Sequence, residues 1–91
     1  MSAPFIIEGE LTVFTVHALK ERLMAALAES STLHINLSGV SEVDGAGVQL
    51  LLATKREAQQ RGGALSLSGH PPQLMAALDL VDLRSELETT A

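Results

Sequence analysis

A strict alternation of apolar and polar residues over residues 32–37, TLHINL, constrains the fold of this chain more than any other feature. Successive side chains of a β-strand point to opposite faces, so one face of this segment is apolar and the other polar. Residues 65–68, LSLS, repeat the pattern. Strands that are covered on both faces read instead as continuous apolar runs. The two segments therefore predict a sheet whose helices pack mainly on one side.

Three segments show apolar residues at helical spacing, and they span 16–29, 46–60 and 71–79. Thr15 is suited to cap the first helix, because its hydroxyl can accept a free backbone N–H. The apolar face of that helix consists of Leu19, Leu23, Ala26 and Leu27. The pair Gly62 and Gly63 closes the second helix as a glycine stop. A further short turn is expected in the tail, through Leu83 and Leu87.

The opening segment, residues 5–14 with the sequence FIIEGELTVF, predicts two short strands. Gly9 lies between Glu8 and Glu10 and is the expected turn of a tight hairpin. The predicted order is β-β-α-β-α-β-α in one domain over residues 1–91. Strand–helix–strand units imply parallel neighbours joined by right-handed crossovers. The fold class is therefore α/β, with a small mixed sheet.

Composition excludes several classes of function. The chain has 91 residues, eleven acidic against six basic side chains, no Cys, and only two aromatic residues. Nucleic-acid binding needs clustered basic residues or stacking aromatics, and both are missing. The longest apolar run has six residues, whereas a membrane span needs roughly 20. The opening residues, MSAPFIIEGE, have no basic segment before an apolar stretch. We therefore expect no signal peptide and a cytoplasmic protein without direct membrane insertion.

The most informative stretch is residues 37–52, LSGVSEVDGAGVQLLL. A loop over residues 38–43 is expected to lead through Asp44 and small residues into the second helix. The free N–H groups of a helix start carry partial positive charge, and small side chains allow a partner to come close. On spacing alone, an Asp-Gly turn that merely starts a helix explains the same residues.

Taken with the element order, this stretch resembles the STAS domain, a fold shared by bacterial anti-sigma factor antagonists and the cytoplasmic tails of sulfate transporters. The segments that match in order are GELTVF, LHINLSGV, VDGAGVQLLL and GGALSLSG. The most specific piece is the Asp-x-x-Gly at Asp44 and Gly47, followed by an apolar helix. The resemblance implies a non-enzymatic signalling protein that binds an anti-sigma factor, which is also a kinase, or another signalling protein, as in chemotaxis gene clusters.

The chain departs from that family at Gly45. In the antagonists this position holds a Ser or Thr, whose phosphorylation breaks the complex with the kinase. Gly45 has no hydroxyl, so the protein works without that switch or with a switch elsewhere, unless the residue has been substituted deliberately. Ser38 and Ser41 lie in the same expected loop, and Ser41 is the nearest alternative hydroxyl.

The expected contact surface runs from residue 41 to residue 50. Its residues are Ser41, Asp44, Gly45, Ala46, Gly47 and Leu50. Asp44 would shape the loop, and Gly45 and Gly47 would permit close approach. Helical geometry places Val48, Leu51 and Leu52 toward the sheet and turns Leu50 away from it. Leu50 would then be exposed for a partner, or be covered by a neighbouring helix.

Two other classes of function compete with this interpretation. The first is a small cytoplasmic STAS subunit of a phospholipid ABC transporter, docking on its ATPase through the same helix start. The second is an enzyme or a phosphate-binding protein, which is disfavoured because no basic residue lies between Arg22 and Lys55. The three histidines are far apart in sequence and have no metal-ligand spacing. No catalytic residue, cofactor or metal is expected.

Overall fold

The structure is a computed structural model that describes residues 4–80. Strands and helices alternate along the chain as β1 (Phe5–Leu11), α1 (Val16–Glu29), β2 (Leu33–Val43), α2 (Gly45–Gln60), β3 (Leu65–Ser68) and α3 (Pro72–Leu80). The three strands form one parallel sheet in the order β1-β2-β3. The predicted α/β class and all three helices are confirmed. The tail turn expected through Leu83 and Leu87 lies outside the described residues.

All three helices cover one face of the sheet, as the alternating strands predicted. In β2, Leu33, Ile35 and Leu37 are buried, whereas His34 and Asn36 are half-buried on the opposite face. Two right-handed crossovers that step in the same direction across a sheet place their helices on the same face. The core therefore lies between this face and the helices, and α3 completes it by packing on β2 and α2.

The prediction of an opening hairpin is wrong, because the segment that the hairpin would occupy contains only one strand. β1 pairs in parallel with β2 from Phe5, opposite Ile35, to Leu11, opposite Val43. Gly9 has φ of +79° and lies at a register shift in this ladder. The extra residue at this shift is Ser41, so β2 bulges opposite Gly9. In such an irregular ladder a glycine between polar residues is as suitable as in a turn. The hairpin that would have made the sheet mixed is absent from residues 4–80.

The prediction of a loop over residues 38–43 is also wrong. These residues continue β2, which runs to Val43. The reason is the length of β1, since Gly39 pairs with Glu8 and Val40 with Gly9. A backbone whose N–H and C=O groups have a neighbouring strand remains extended even where its side chains favour a loop.

No helix within residues 4–80 is long and apolar enough to cross a bilayer.

Candidate functional site at the carboxyl edge of the sheet

The candidate site lies at the edge of the sheet where β1 and β2 end and α1 and α2 begin. In a parallel sheet the strands reach this edge together, and each hands the chain to a helix that starts there. Asp44 is the single residue between β2 and α2 and occupies the N-cap position of α2. The turn over residues 12–15 connects β1 to α1 beside it. Two helix starts and one turn therefore share this edge.

Asp44 joins the two connections through both of its carboxylate oxygens. Its Oδ1 accepts a hydrogen bond from the Gly47 N–H at 3.1 Å, as an N-cap does. Its Oδ2 accepts another from the Val13 N–H at 3.0 Å. The Asp44 N–H in turn donates to the Leu11 carbonyl at 3.3 Å. Both the side chain and the backbone of Asp44 thus join the start of α2 to the end of β1 and the turn after it.

These hydrogen bonds lower the pKa of Asp44 below its ordinary value of 3.8. The bond from the Val13 N–H contributes most and the bond from Gly47 comes next, while desolvation opposes them. Donors directed at a carboxylate favour its charged form. Asp44 is therefore an anion that holds the loop, and both of its oxygens are already engaged.

A network of threonine hydroxyls folds the turn before α1. Thr15 Oγ1 accepts from the Thr12 N–H at 3.1 Å and donates to the Glu10 carbonyl at 2.9 Å. Thr12 Oγ1 donates to the Glu10 carboxylate at 3.0 Å and accepts from the Phe14 N–H at 3.3 Å. Thr15 is the N-cap residue of α1, as predicted, but its side chain makes no cap hydrogen bond to the helix. It holds the turn instead.

This turn exposes two large apolar side chains, Val13 and Phe14, for which the sequence pattern predicts a second strand. Phe14 is 88% exposed and Val13 is 61% exposed. Asp44 holds the backbone of Val13 beside the start of α2. The Phe14 side chain follows it on the same turn and lines a depression next to Glu10 and Arg22. The signal that could have identified them is the apolar pair enclosed by threonines, TVFT, directly before a helix cap.

Gly45 is open to solvent at the first position of α2. A Cβ added there would have no atom within 4 Å, and its φ is not among the positive ones. Ala46 follows it and is half-buried. Ser41 is exposed on β2, where its hydroxyl donates to the Gly9 carbonyl at 3.2 Å. Of the predicted surface, Ser41 and Gly45 are exposed, and Asp44 and Ala46 are half-buried.

Gly47 and Leu50 differ from their predicted roles. A Cβ on Gly47 would lie 2.0 Å from the Leu11 carbonyl oxygen, so its missing side chain admits the end of β1 and not a partner. Leu50 is only 7% exposed because α1 packs beside α2. The alternative that a neighbouring helix covers Leu50 is the one that the structure shows. Val48, Leu51 and Leu52 are buried, as predicted.

Within residues 4–80, no three His, Asp or Glu side chains gather closely enough to hold a metal ion. His34 lies on the open face of the sheet, with its ring nitrogens 2.8 Å from the hydroxyls of Ser66 and Ser68. Glu42 lies two residues before Asp44 in the chain, but both carboxylate oxygens of Asp44 accept hydrogen bonds from backbone N–H groups. The arrangement at the carboxyl edge presents apolar side chains and a helix start, which is the chemistry of protein contact.

Comparison with known proteins places this architecture in a family. A family model described as "Mlab, STAS domain" matches residues 6–88. The chain is 27% identical over 85 residues to the anti-sigma-B factor antagonist of Bacillus subtilis strain 168, covering 93% of this chain and 78% of that protein.

Solved structures agree with this match. The crystal structure of an anti-sigma factor antagonist from Mycobacterium paratuberculosis superposes with a TM-score of 0.75 at 25% identity, over 90% of this chain and 70% of that one. A sulfate transporter family protein from Wolinella succinogenes shares the fold, with a TM-score of 0.70 at 23% identity, over 91% of this chain and 68% of that one. The chain belongs to the STAS domain family and is similar to its anti-sigma factor antagonists.

Proposed function

We propose that this protein is a non-enzymatic cytoplasmic regulator of the anti-sigma factor antagonist type, which binds an anti-sigma factor at the carboxyl edge of its sheet. The contact surface comprises Val13, Phe14, Gly45 and Ala46, and we call it the edge surface. Relatives named anti-sigma factor antagonists support the class of protein. The geometry of the edge supports the place of contact.

The observation that carries this proposal is the exposure of Phe14. An aromatic side chain buries about 150–250 Å² when it is covered, and leaving it in water forgoes that stabilisation. Phe14 nevertheless stands 88% exposed, on a turn held by six side-chain hydrogen bonds. Aromatic anchors of this kind dominate the energetics of protein interfaces. A rigid turn that displays one beside an open helix start is suited to docking.

Control by phosphate at the helix start is excluded, because Gly45 has no hydroxyl. The proposal therefore includes a contact that is regulated by partner supply, or by modification of another residue. Ser41 is the accessible hydroxyl nearest to Asp44 along the chain. Mass spectrometry of the protein from its own host tests this point, and a stoichiometric phosphate remote from the carboxyl edge would show that the edge is not the control point.

The experiment that tests the proposed function replaces Phe14 with serine. Calorimetric titration with the host's purified anti-sigma factors should show an affinity loss of roughly tenfold or more, as for a central interface aromatic. Thermal unfolding should change little, since the side chain is exposed. Ile6→Ser is the matched control, because Ile6 is 51% exposed on β1, away from the edge. Equal affinity for wild type and Phe14→Ser would place the interface elsewhere.

A second candidate function is a subunit that docks permanently on the ATPase of a phospholipid transporter. The observation that favours this candidate is the absence of a hydroxyl at Gly45, since a permanent subunit needs no phosphate switch. The two candidates differ in the partner that copurifies from the host, an anti-sigma factor or an ATPase. The edge surface is the contact in both.

A further inference from the structure

A groove beside the edge surface has a charge that differs from the rest of the chain. It runs between α1 and α2 and has a volume of about 320 Å³. Its walls are Val16, His17 and Lys20 of α1 and Ala46, Gln49 and Ala53 of α2. That volume is at the lower limit for small-molecule pockets, so it suits a few side chains of a protein better than a cofactor. We call it the α1/α2 groove.

The groove carries positive charge although the protein is acidic. No carboxylate lines it, in a chain with eleven acidic and six basic side chains. Lys20 is exposed there, and no ion pair occupies its ammonium among residues 4–80. Both flanking helices begin at this end, and neither has an acidic residue in its first turn. The positive end of the α1 dipole therefore adds to the charge of Lys20, whereas the Asp44 carboxylate already offsets that of α2.

The opposite side of α1 provides a contrast within the same molecule. The depression there is lined by Glu8 and Glu10 of β1 together with Arg22 and Phe14. An acidic partner segment would meet two carboxylates on that side and none in the α1/α2 groove. β1 is also unsuited to adding a strand, since this edge strand carries both glutamates and its ladder with β2 is irregular.

Resting on the proposed function, we propose that the α1/α2 groove binds an acidic amphipathic helix of the partner protein. A helix lying between two parallel helices inserts apolar side chains at i, i+3 and i+4 into the groove. Its apolar residues would cover Ala46 and Ala53, and its carboxylates would face Lys20 and the start of α1. Ala46 belongs to both the groove and the edge surface, so one partner can occupy both.

Site-specific photo-crosslinking in the host identifies the occupant directly. A benzophenone amino acid at Gln49, which is exposed in the groove, should capture a partner segment that is amphipathic and rich in Asp and Glu. The same group at Gln73, exposed on α3, is the matched control and should not capture that segment. Capture of a segment without acidic residues, of a second copy of this chain, or of its own residues 81–91 would overturn the proposal.

Charge substitutions then measure the electrostatic part on the purified, captured partner. Lys20→Glu should weaken binding roughly fivefold or more at low salt and less at high salt, whereas Arg56→Glu, outside the groove, should not. Ala53→Glu should weaken binding likewise, with Ala28→Glu as its control on the exposed part of α1. If Phe14→Ser weakens binding but Lys20→Glu and Ala53→Glu do not, the groove is not the helix site while the proposed function stands. If none of the three matters, both fail.

Discussion

The carboxylate of Asp44 accepts a hydrogen bond from the N–H of Val13, which lies 3.0 Å away in space and 31 residues earlier in the chain. The same carboxylate caps α2 through the Gly47 N–H. One side chain therefore fixes both the helix start and the turn that displays Phe14. The shape of the edge surface therefore depends on this relationship.

Asp44→Ala should destabilise the protein at neutral pH, and the difference from wild type should shrink in acid. The pKa of Asp44 is lowered in the folded state, so its contribution is complete above the unfolded value of about 3.8 and is lost as the pH falls through the lower folded value. Urea unfolding of both proteins between about pH 6 and pH 2 measures this. Ser41→Ala, three residues earlier in the chain, should show no such pH dependence in its difference from wild type. A constant difference for Asp44→Ala would contradict the proposed ionic role.

The sequence was sufficient for those elements whose signal is local. Residues 16–29 carry an apolar residue every three or four positions, and α1 has the predicted bounds. Residues 65–68 alternate strictly, and β3 matches them. The expected entry into the second helix through Asp44 and small residues also agrees with α2, which begins at Gly45. In each case the relevant interactions lie within a few residues of one another.

The parts that the sequence did not reveal depend on contacts between distant segments. Gly9 reads as a turn until β2 is known to run alongside it. Leu50 points away from the sheet, as the helical geometry indicates, but α1 covers it. Phe14 is exposed because the hydroxyls of Thr12 and Thr15 fold the turn that contains it. Neither the two-residue periodicity of strands nor the 3.6-residue periodicity of helices indicates these contacts between distant segments.

Gly47→Ala should be strongly destabilising, whereas Gly45→Ala should not. A Cβ at residue 47 would lie 2.0 Å from the Leu11 carbonyl oxygen, so α2 would have to move away from β1. Overpacking of this kind costs about 1–3 kcal/mol, and backbone contact places it at the upper end. At Gly45 nothing lies within 4 Å, and alanine favours a helix by up to about 1 kcal/mol over glycine. Chemical denaturation of the two variants provides the comparison, and equal stabilities would contradict the close approach.

Leu50→Asp and Leu51→Asp should both destabilise the domain severely. Leu51 is fully buried and Leu50 is 7% exposed, so each change buries a carboxylate without a partner. That costs several kcal/mol against a total stability of about 5–15 kcal/mol. Gln49→Asp is the control, since Gln49 is exposed on the same helix. Thermal melts decide the matter, and a native melting temperature for Leu50→Asp would show that α1 does not cover this residue.

Gly45→Asp should lower the affinity for the partner without lowering the melting temperature. The position is exposed, has ordinary negative φ and accepts a Cβ without contact. A carboxylate at the first residue of α2 also suits the positive end of the helix dipole, worth about 0.3–1 kcal/mol. It nevertheless places a second negative charge beside Asp44, at the point where the partner approaches. We expect affinity to fall roughly five- to tenfold at low salt, and less at high salt.

Two further variants at Gly45 separate charge from size. Gly45→Asn has nearly the shape of Gly45→Asp without its charge, and Gly45→Ser restores the hydroxyl that antagonists of this family carry. Both should bind the partner with nearly wild-type affinity in calorimetric titration. Phosphorylation of the introduced serine should then reproduce the loss seen with Gly45→Asp, because the phosphate adds negative charge at the same point. Equal affinity for the Gly45→Asp, Gly45→Asn and wild-type proteins would show that the start of α2 is not part of the interface. Phe14 would then have to account for partner binding without a contribution from Gly45.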